Sequence, residues 1–382
     1  MKTLTVFMFG MILGFCLSQL LHMTSWTPNY CDDDSLDVIA LRRRNLRARY
    51  EEDEDDLTEI MSNNLVVVAA PNHDGIPSHK TIINANNNNK KNSIENISLA
   101  TRLYNETRVL CWILTGPANH MKRAIHIKKT WGSRCNKLLF MSSAEDEELG
   151  TIKLPVGEGR KNLWFKTREA FKYIWDNHRN DADWFLKADD DTYVIAENLR
   201  AFLYPYSTDS PVYFGCKFKP HVRQGYMSGG AGYVLSREAL RRFVELAYPN
   251  KTICRQNHGG SEDMEMGYCL QNVGVVAGDS RDEDKRGRFF PSGPQSHIIA
   301  RDKSHWYWRY IFYATDDGLN CCSDHAISFH YIHPDTFYML DYLIYKLRPF
   351  GVIYKTDKLV PKHLDMNKFL DKWRNETSEN TL

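Results

Sequence analysis

The sequence predicts an α/β fold with a mostly parallel central sheet, preceded by a single transmembrane helix and a flexible stem. Three observations support this. From Arg108 onward, short apolar runs alternate with segments of helical periodicity, which indicates βα units. An uncharged apolar run begins the chain, and a polar, low-complexity stretch follows it. Lys and Arg (49) nearly balance Asp and Glu (48), so the basic footprint of a nucleic-acid-binding protein is missing.

The N-terminal run predicts an uncleaved membrane anchor. Residues 4–23 contain no Asp, Glu, Lys or Arg, and about 20 such residues span a bilayer as a helix. Residues 1–3 would then be a cytoplasmic tail, because the weak positive bias lies on that side. The alternative is a cleaved signal peptide, which usually has a shorter apolar core and a small-x-small cleavage site. Both interpretations place the rest of the chain in the secretory lumen.

Residues 24–100 are predicted to form a largely disordered lumenal stem. A basic block, LRRRNLRAR, precedes an acidic block, EEDEDD, and NANNNNKKNS is polar and of low complexity. Such segments bury too little apolar surface to offset the entropy of ordering. Four potential N-glycosylation sites agree with a lumenal chain: Asn96, Asn105, Asn250 and Asn375.

The elements of the folded region follow in order from Arg108. Strands are predicted for the apolar or β-branched runs RVLCWILT, NKLLFMSS, DWFLKA and VYFGC. Helices are predicted for HMKRAIHIKKTW, GRKNLWFKTREAFKYIWDNH and YVIAENLRAFLYP. In open α/β sheets, ligands bind beyond the carboxyl ends of the strands. Ligand-binding and catalytic residues are therefore expected just after the strands.

Three adjacent carboxylates end the strand DWFLKA. Side chains at i and i+2 of an extended chain point the same way, so Asp189 and Asp191 can face one ligand while Asp190 points elsewhere. Clustered aspartates at a strand end favour a hard divalent cation. The alternative is an exposed acidic turn or an Asp cap on the following helix. A metal there could bridge phosphate oxygens of a substrate.

Several sequence blocks around these aspartates carry a family resemblance. They are RVLCWILTGP, KKTWGSRCNKLLFMSS, WFLKADDDTYV, QGYMSGGAGYVLS, SEDMEMG, AGDSRD, CCSDHAISFHY and YKLRPFG, over about residues 105–350. In this order they resemble the core 1 β1,3-galactosyltransferases, within the glycosyltransferase family that includes the fringe proteins. The resemblance implies a GT-A (Rossmann-like) catalytic domain at 101–360 and a C-terminal tail at 361–382. It also implies a Golgi type II membrane protein that uses UDP-galactose and Mn²⁺.

The resemblance implies a role for each metal-site residue. Asp191 and a histidine from a late strand would hold the manganese, and Asp189 would lie beside them near the ribose. His330, in SFHY, is the preferred histidine. His325 competes with it, and His333 is a weaker alternative. Without the resemblance, a lone histidine such as His330 is more often structural than a metal ligand.

The resemblance also implies residues for proton transfer and donor binding. Asp263 would take the proton from the attacking hydroxyl, with Glu262 as the fallback. The alternative for both is an acidic first helical turn after Ser261, which the helix dipole alone would favour. The expected donor-binding residues are Thr115, Arg123, Lys166, Asp189, Asp190, Gly229 and Gly230. Solvated helix faces or a plain glycine turn would explain several of them equally well.

Aromatic residues and cysteines complete the implied site. HWYWRYIFY offers Trp306 and Tyr307 as an acceptor platform, with core packing as the alternative. The resemblance and local spacing suggest two disulfides, Cys111 with Cys135 and Cys254 with Cys269. Cys321 and Cys322 either bond each other or take separate partners, one of them Cys216. Cys31 could link two stems.

The implied function is transfer of galactose to O3 of GalNAc α-linked to Ser or Thr, forming the core 1 O-glycan. A homodimer is expected, and a dedicated chaperone is possible. Three alternatives stay open: a related β1,3-glycosyltransferase with another donor or acceptor, a non-catalytic chaperone-like homologue, and a metal-dependent phosphohydrolase. The chaperone-like homologues lack the D-x-D element that this chain keeps.

Overall fold

A computed structural model describes residues 98–350, 362 and 365–379. The predicted anchor, almost all of the predicted stem, Cys31 and Asn96 lie outside the described residues. Helices within the described ranges are all too short or too polar to cross a membrane.

A seven-stranded sheet forms the centre of the fold, in the order β10-β6-β9-β4-β1-β2-β3. Six strands run parallel, and β9 is antiparallel to both of its neighbours. The strands are β1 Val109–Leu114, β2 Lys137–Ser142, β3 Thr151–Lys153, β4 Trp184–Asp189, β5 Tyr193–Val194, β6 Val212–Gly215, β7 Lys217–Phe218, β8 Tyr226–Met227, β9 Tyr233–Ser236, β10 Val276–Ala277, β11 Phe289–Phe290 and β12 Ser328–Phe329. The predicted α/β class with a mostly parallel sheet is confirmed.

Helices cover both faces of this sheet. The α-helices are α1 Leu99–Glu106, α2 Ile125–Lys129, α3 Leu163–His178, α4 Ala196–Leu203, α5 Arg237–Arg242, α6 Glu262–Asn272, α7 Gln295–Ile298, α8 Trp306–Tyr310, α9 Pro334–Tyr345 and α10 Met366–Glu379. Strand β1 is buried along its whole length because alternate side chains enter opposite core layers. Cys111 and Ile113 pack in one layer, and Leu110 and Trp112 pack in the other.

A second, three-stranded sheet brings a late segment to the end of β4. Its order is β11-β12-β5, with β12 antiparallel to β5. Strand β5 begins four residues after Asp189, and His330 directly follows β12. The pairing therefore carries His330 to the carboxyl end of the central sheet.

The start of the third predicted helix differs from the expectation. YVIAENLRAFLYP begins as β5, and α4 starts only at Ala196, because Tyr193 and Val194 pair with β12. Ile195 occupies the N-cap position, and no side chain caps this helix. The alternative of an Asp cap is therefore wrong.

The end of the chain also differs from the expectation. Residues 361–382 were expected to be a tail, yet they contain α10. Met366, Leu370 and Trp373 of α10 lie in the main core, and the Trp373 ring packs edge-on against Phe214 at 5.7 Å. The folded domain therefore extends beyond residue 360.

The structure contains both disulfides that the resemblance suggests, Cys111–Cys135 and Cys254–Cys269. The first ties β1 to the turn before β2, and the second ties α6 to the preceding loop. Cys321 and Cys322 bond each other. Cys216 is buried and unpaired, so its proposed pairing with one of them is wrong.

Candidate metal centre and active site

Two carboxylates and one imidazole converge at the carboxyl end of β4. The Nε2 atom of His330 lies 3.0 Å from Asp191 Oδ1 and 3.7 Å from Asp189 Oδ2. Ligand atoms of all three residues lie within 4.8 Å of one another. Two hard oxygens and an imidazole nitrogen suit a divalent cation such as Mn²⁺. The residues therefore fit a metal site.

The geometry favours His330 over the other two histidines. Among the described residues, the acidic and histidine cluster consists of Asp189, Asp191 and His330. His333 is an exposed side chain beside Asp335, at 3.5 Å. His325 belongs to the turn before β12, where its backbone N–H donates to a serine hydroxyl.

Asp190 points away from this cluster, as the i and i+2 alternation predicts. Its carboxylate accepts hydrogen bonds from Thr115 Oγ1 at 2.8 Å and Asn119 Nδ2 at 3.0 Å. Burial raises the pKa of Asp190 to about 6, although these two hydrogen bonds oppose the shift. Asp190 therefore joins the end of β4 to the loop after β1.

Arg123 supplies a positive charge at the same edge. Its guanidinium lies 2.8 Å from Asp191 Oδ2 and 3.5 Å from Asp190 Oδ1, and it is 44% exposed. Burial alone would raise the pKa of Asp191, but His330 and Arg123 outweigh it and lower that pKa. Asp191 is therefore held as the carboxylate that a metal requires.

Lys166 lies behind Thr115 and not on a solvated helix face. Its side chain is 3% exposed, and Nζ donates to the Thr115 carbonyl at 2.9 Å and to Glu158 Oε1 at 2.6 Å. The structure thus brings Thr115, Arg123 and Lys166 to the end of β1, beside the aspartates.

The two acidic residues at the start of α6 have different surroundings. Glu262 is 8% exposed and accepts a hydrogen bond from the Tyr233 hydroxyl at 2.6 Å. Asp263 is half-buried and accepts N–H donors from Gly229 at 3.2 Å and Met264 at 2.9 Å. Burial raises the pKa of both groups above the usual range. Asp263 is therefore the more accessible candidate base.

Two glycines allow the loop after β8 to lie against these groups. An added Cβ at Gly229 would stand 2.6 Å from Glu262 Oε2. An added Cβ at Gly230 would stand 2.2 Å from the His330 ring. The loop is therefore packed against both the base side and the metal side, which a plain turn would not require.

Sequence reasoning missed Lys187, which lies beneath the site. Its Nζ is 2.5 Å from Asp189 Oδ1 and 3.6 Å from Glu262 Oε2. The available signal was a lysine inside an apolar strand, two residues before Asp189 and so on the same side of that strand.

The two aromatic candidates differ in how far they are exposed. Tyr307 is 5% exposed, with its ring against His297 at 5.4 Å and under the Arg301 guanidinium at 4.5 Å. So little exposed surface favours the packing alternative for Tyr307. Trp306 is half-buried against Phe218 and stays a candidate. The potential glycosylation sites within the described ranges are exposed: Asn105, Asn250 and Asn375.

The sequence is similar to those of known proteins. Glycoprotein-N-acetylgalactosamine 3-beta-galactosyltransferase 1 of Xenopus laevis is 51% identical over 264 residues, which cover 68% of this chain and 72% of that protein. A protein-family profile described as Fringe-like matches residues 105–281. The chain belongs to the family of the glycoprotein-N-acetylgalactosamine 3-beta-galactosyltransferases.

More distant similarity reaches other glycosyltransferases, including solved structures. The beta-1,3-glucosyltransferase of Mus musculus is 28% identical over 160 residues, covering 41% of this chain and 32% of that protein. The galactosyltransferase LgtC, solved with donor and acceptor sugar analogs, aligns with a TM-score of 0.35 and 12% identity. That alignment covers 63% of this chain and 97% of LgtC.

Proposed function

We propose that this chain transfers galactose from UDP-galactose to O3 of N-acetylgalactosamine α-linked to Ser or Thr, forming the core 1 disaccharide on glycoproteins. The 51% identity to the Xenopus enzyme, over 72% of that enzyme, carries the proposal. The cluster of Asp189, Asp191 and His330 supports it, because nucleotide-sugar transfer of this kind needs a metal beside the diphosphate. The domain is proposed to have the GT-A fold.

The residues at the end of β4 would bind the donor. Asp191, His330 and Asp189 would hold a divalent cation, which is Mn²⁺ in this proposal. Bound there, it would contact diphosphate oxygens and stabilise the charge of departing UDP. Arg123 has a planar guanidinium suited to phosphate oxygens, and Thr115 lies at the same edge. These side chains would orient the anomeric carbon toward the acceptor.

Asp263 would activate the acceptor hydroxyl. As O3 attacks the anomeric carbon, a new C–O bond forms and the bond to the UDP oxygen breaks on the opposite face, with inversion. The O3 proton passes to the Asp263 carboxylate. Its hydrogen bonds from Gly229 and Met264 fix the orientation of this carboxylate, while its half-buried position leaves it accessible. Glu262 is held by Tyr233 and Lys187 and would support the helix start instead.

Location and assembly are proposed on sequence grounds. The chain is proposed to be a Golgi type II membrane protein with a lumenal catalytic domain, as the family resemblance implies, and the uncharged residues 4–23 support its membrane anchor. Cys31, close to that segment, supports a homodimer. A dedicated folding chaperone stays a possible partner of the proposed enzyme.

The test uses the full chain with UDP-galactose, Mn²⁺ and a GalNAcα-threonine peptide. We expect a β1,3-linked disaccharide whose formation stops with EDTA and resumes with added Mn²⁺. Transfer only from another UDP-sugar, or only to another acceptor, would indicate a related β1,3-glycosyltransferase. Phosphate release without an acceptor would indicate a phosphohydrolase. If the chain bound neither UDP nor Mn²⁺, both the transferase and the phosphohydrolase hypotheses would be contradicted.

A further inference from the structure

A lysine lies inside the central sheet directly beneath the candidate site. Lys187 is the fourth residue of β4, and its side chain is 1% exposed. Its register neighbours are Trp112 of β1 and Tyr233 of β9, both buried. A buried ammonium loses its hydration, which is costly unless oxygens replace the water. The contacts of Lys187 should therefore show why the chain keeps a charge there.

Three oxygens from three different elements surround Nζ of Lys187. Asp189 Oδ1 lies at 2.5 Å, the Gly229 carbonyl accepts a hydrogen bond at 3.1 Å, and Glu262 Oε2 lies at 3.6 Å. Burial alone would lower the pKa of Lys187, but Asp189 and Glu262 outweigh it, so the pKa is raised. One ammonium thus contacts the metal cluster, the glycine loop and the start of α6.

Both backbone polar groups of Gly229 form hydrogen bonds with side chains of the site. Its carbonyl accepts from Lys187, and its N–H donates to the Asp263 carboxylate at 3.2 Å. Its space is also limited, because an added Cβ would meet Glu262 at 2.6 Å. Without the hydrogen bond from Lys187, the Gly229 carbonyl would lose its partner, and the Gly229 N–H that orients Asp263 would be less well positioned.

We propose that Lys187 is a positioning residue that couples the metal side of the site to the proton-accepting side. It fixes Asp189 directly and fixes Asp263 through Gly229, without touching the reacting atoms. The catalytic part of this inference rests on the proposed function. The structural part, that Lys187 orders the Gly229 loop, does not.

A double-mutant cycle separates positioning from charge balance against Glu262. Lys187→Met keeps most of the side-chain volume and removes the donor and the charge. Glu262→Gln removes the negative charge at residue 262 that Lys187→Met would otherwise leave without its cation. If Lys187 acts through Gly229, Lys187→Met should lower kcat by about 10–100-fold in both the wild-type and the Glu262→Gln chain. The loss should appear in kcat at saturating Mn²⁺ and UDP-galactose, where weaker donor binding through Asp189 does not limit the rate.

Charge balance against Glu262 alone predicts a different pattern. If Lys187 only neutralises Glu262, its replacement in the Glu262→Gln chain should leave kcat within about twofold of Glu262→Gln, and this result would overturn the inference. If Lys187→Met alone does not fold, the comparison of Glu262→Gln with the double variant still decides. Arg200→Met is the matched control. Arg200 is also a buried cation, 2% exposed and bonded to Asn136 in another part of the fold. We expect its kcat to stay within about twofold of wild type.

Amide hydrogen exchange of the metal-free full chain tests the structural role of Lys187 without measuring enzymatic activity. We expect amides of residues 226–232 to exchange about tenfold faster in Lys187→Met and unchanged in Arg200→Met. Unchanged exchange in Lys187→Met would refute the ordering of Gly229. If the wild-type chain transferred no galactose, the proposed function would fail, while exchange would still decide the role of Lys187.

Discussion

The close approach of Gly230 to His330 allows a direct test of the metal centre. An added Cβ at residue 230 would lie 2.2 Å from two atoms of the imidazole and 2.7 Å from Nε2. Ordinary contact begins at 3.4 Å, so the ring would have to move by about 1 Å. The Gly230 backbone is restrained because its carbonyl accepts the Thr192 hydroxyl at 2.8 Å. Metal–ligand distances vary by only about 0.2 Å, so His330 could not remain a ligand.

Gly230→Ala should therefore weaken Mn²⁺ binding by at least about 10-fold, since disturbing even the support of a ligand costs about 10–100-fold. Free Mn²⁺ would be measured by electron paramagnetic resonance during titration of the full chain. His330→Ala should give a similar loss, and the double variant should lose no more than either single variant. Mn²⁺ affinity within about twofold of wild type in Gly230→Ala would refute the reasoning.

Gly150→Ala controls for general destabilisation. Gly150 has a φ of 78°, and an added Cβ there would have no atom within 4 Å. The substitution should cost about 1 kcal/mol through the backbone alone and leave Mn²⁺ affinity unchanged. A comparable loss of affinity in this variant would mean that instability, and not contact with His330, explains the result.

Three further predictions concern the base, the C-terminal helix and the unpaired cysteine. Asp263→Asn should lower kcat by about 10²–10⁴-fold while UDP binding is retained; because burial raises the pKa of Asp263, wild-type activity should fall on acidification from a higher pH than for an ordinary Asp. Activity within a few-fold would reject this base. Trp373→Ala should lower the free energy of unfolding by about 3–5 kcal/mol in urea titrations, against about 0.5 kcal/mol or less for exposed Lys368→Ala. Equal effects would mean that α10 does not pack in the core. Burial raises the pKa of Cys216 to about 12, so peptide mapping should find it alkylated at pH 8 only after denaturation. Protection that persists in denaturant until reduction would indicate a disulfide instead.

The sequence predicted the paired aspartates of the metal cluster because their geometry is local. The alternation of an extended chain separates Asp190 from Asp189 and Asp191, and the structure has this arrangement. His330 is 139 positions away from Asp191, and only the family resemblance selected it. The pairing of β12 with β5, which brings it there, is set by packing that no local pattern records.

Two of the elements that were not predicted were missed for different reasons. Strand β9 has four residues next to a glycine-rich turn, and its antiparallel place between β4 and β6 depends on tertiary register. Helix α10 was visible in principle. Met366, Leu370 and Trp373 are spaced by four and three residues, the spacing of one helical face, and all three are buried.

The three adjacent aspartates can end a buried strand because each has a different environment. Asp189 is balanced by Lys187, which the same strand supplies two residues earlier. Asp190 is buried, accepts hydrogen bonds from Thr115 and Asn119, and lies 3.5 Å from the Arg123 guanidinium. Burial raises its pKa to about 6. Asp191 is balanced by Arg123 from the segment after β1. If one cation served all three, replacing it would disrupt the whole cluster. Because different cations contact Asp189 and Asp191, Lys187→Met should leave the contact between Arg123 and Asp191 in place, and its effect should appear at Asp189, Gly229 and Asp263.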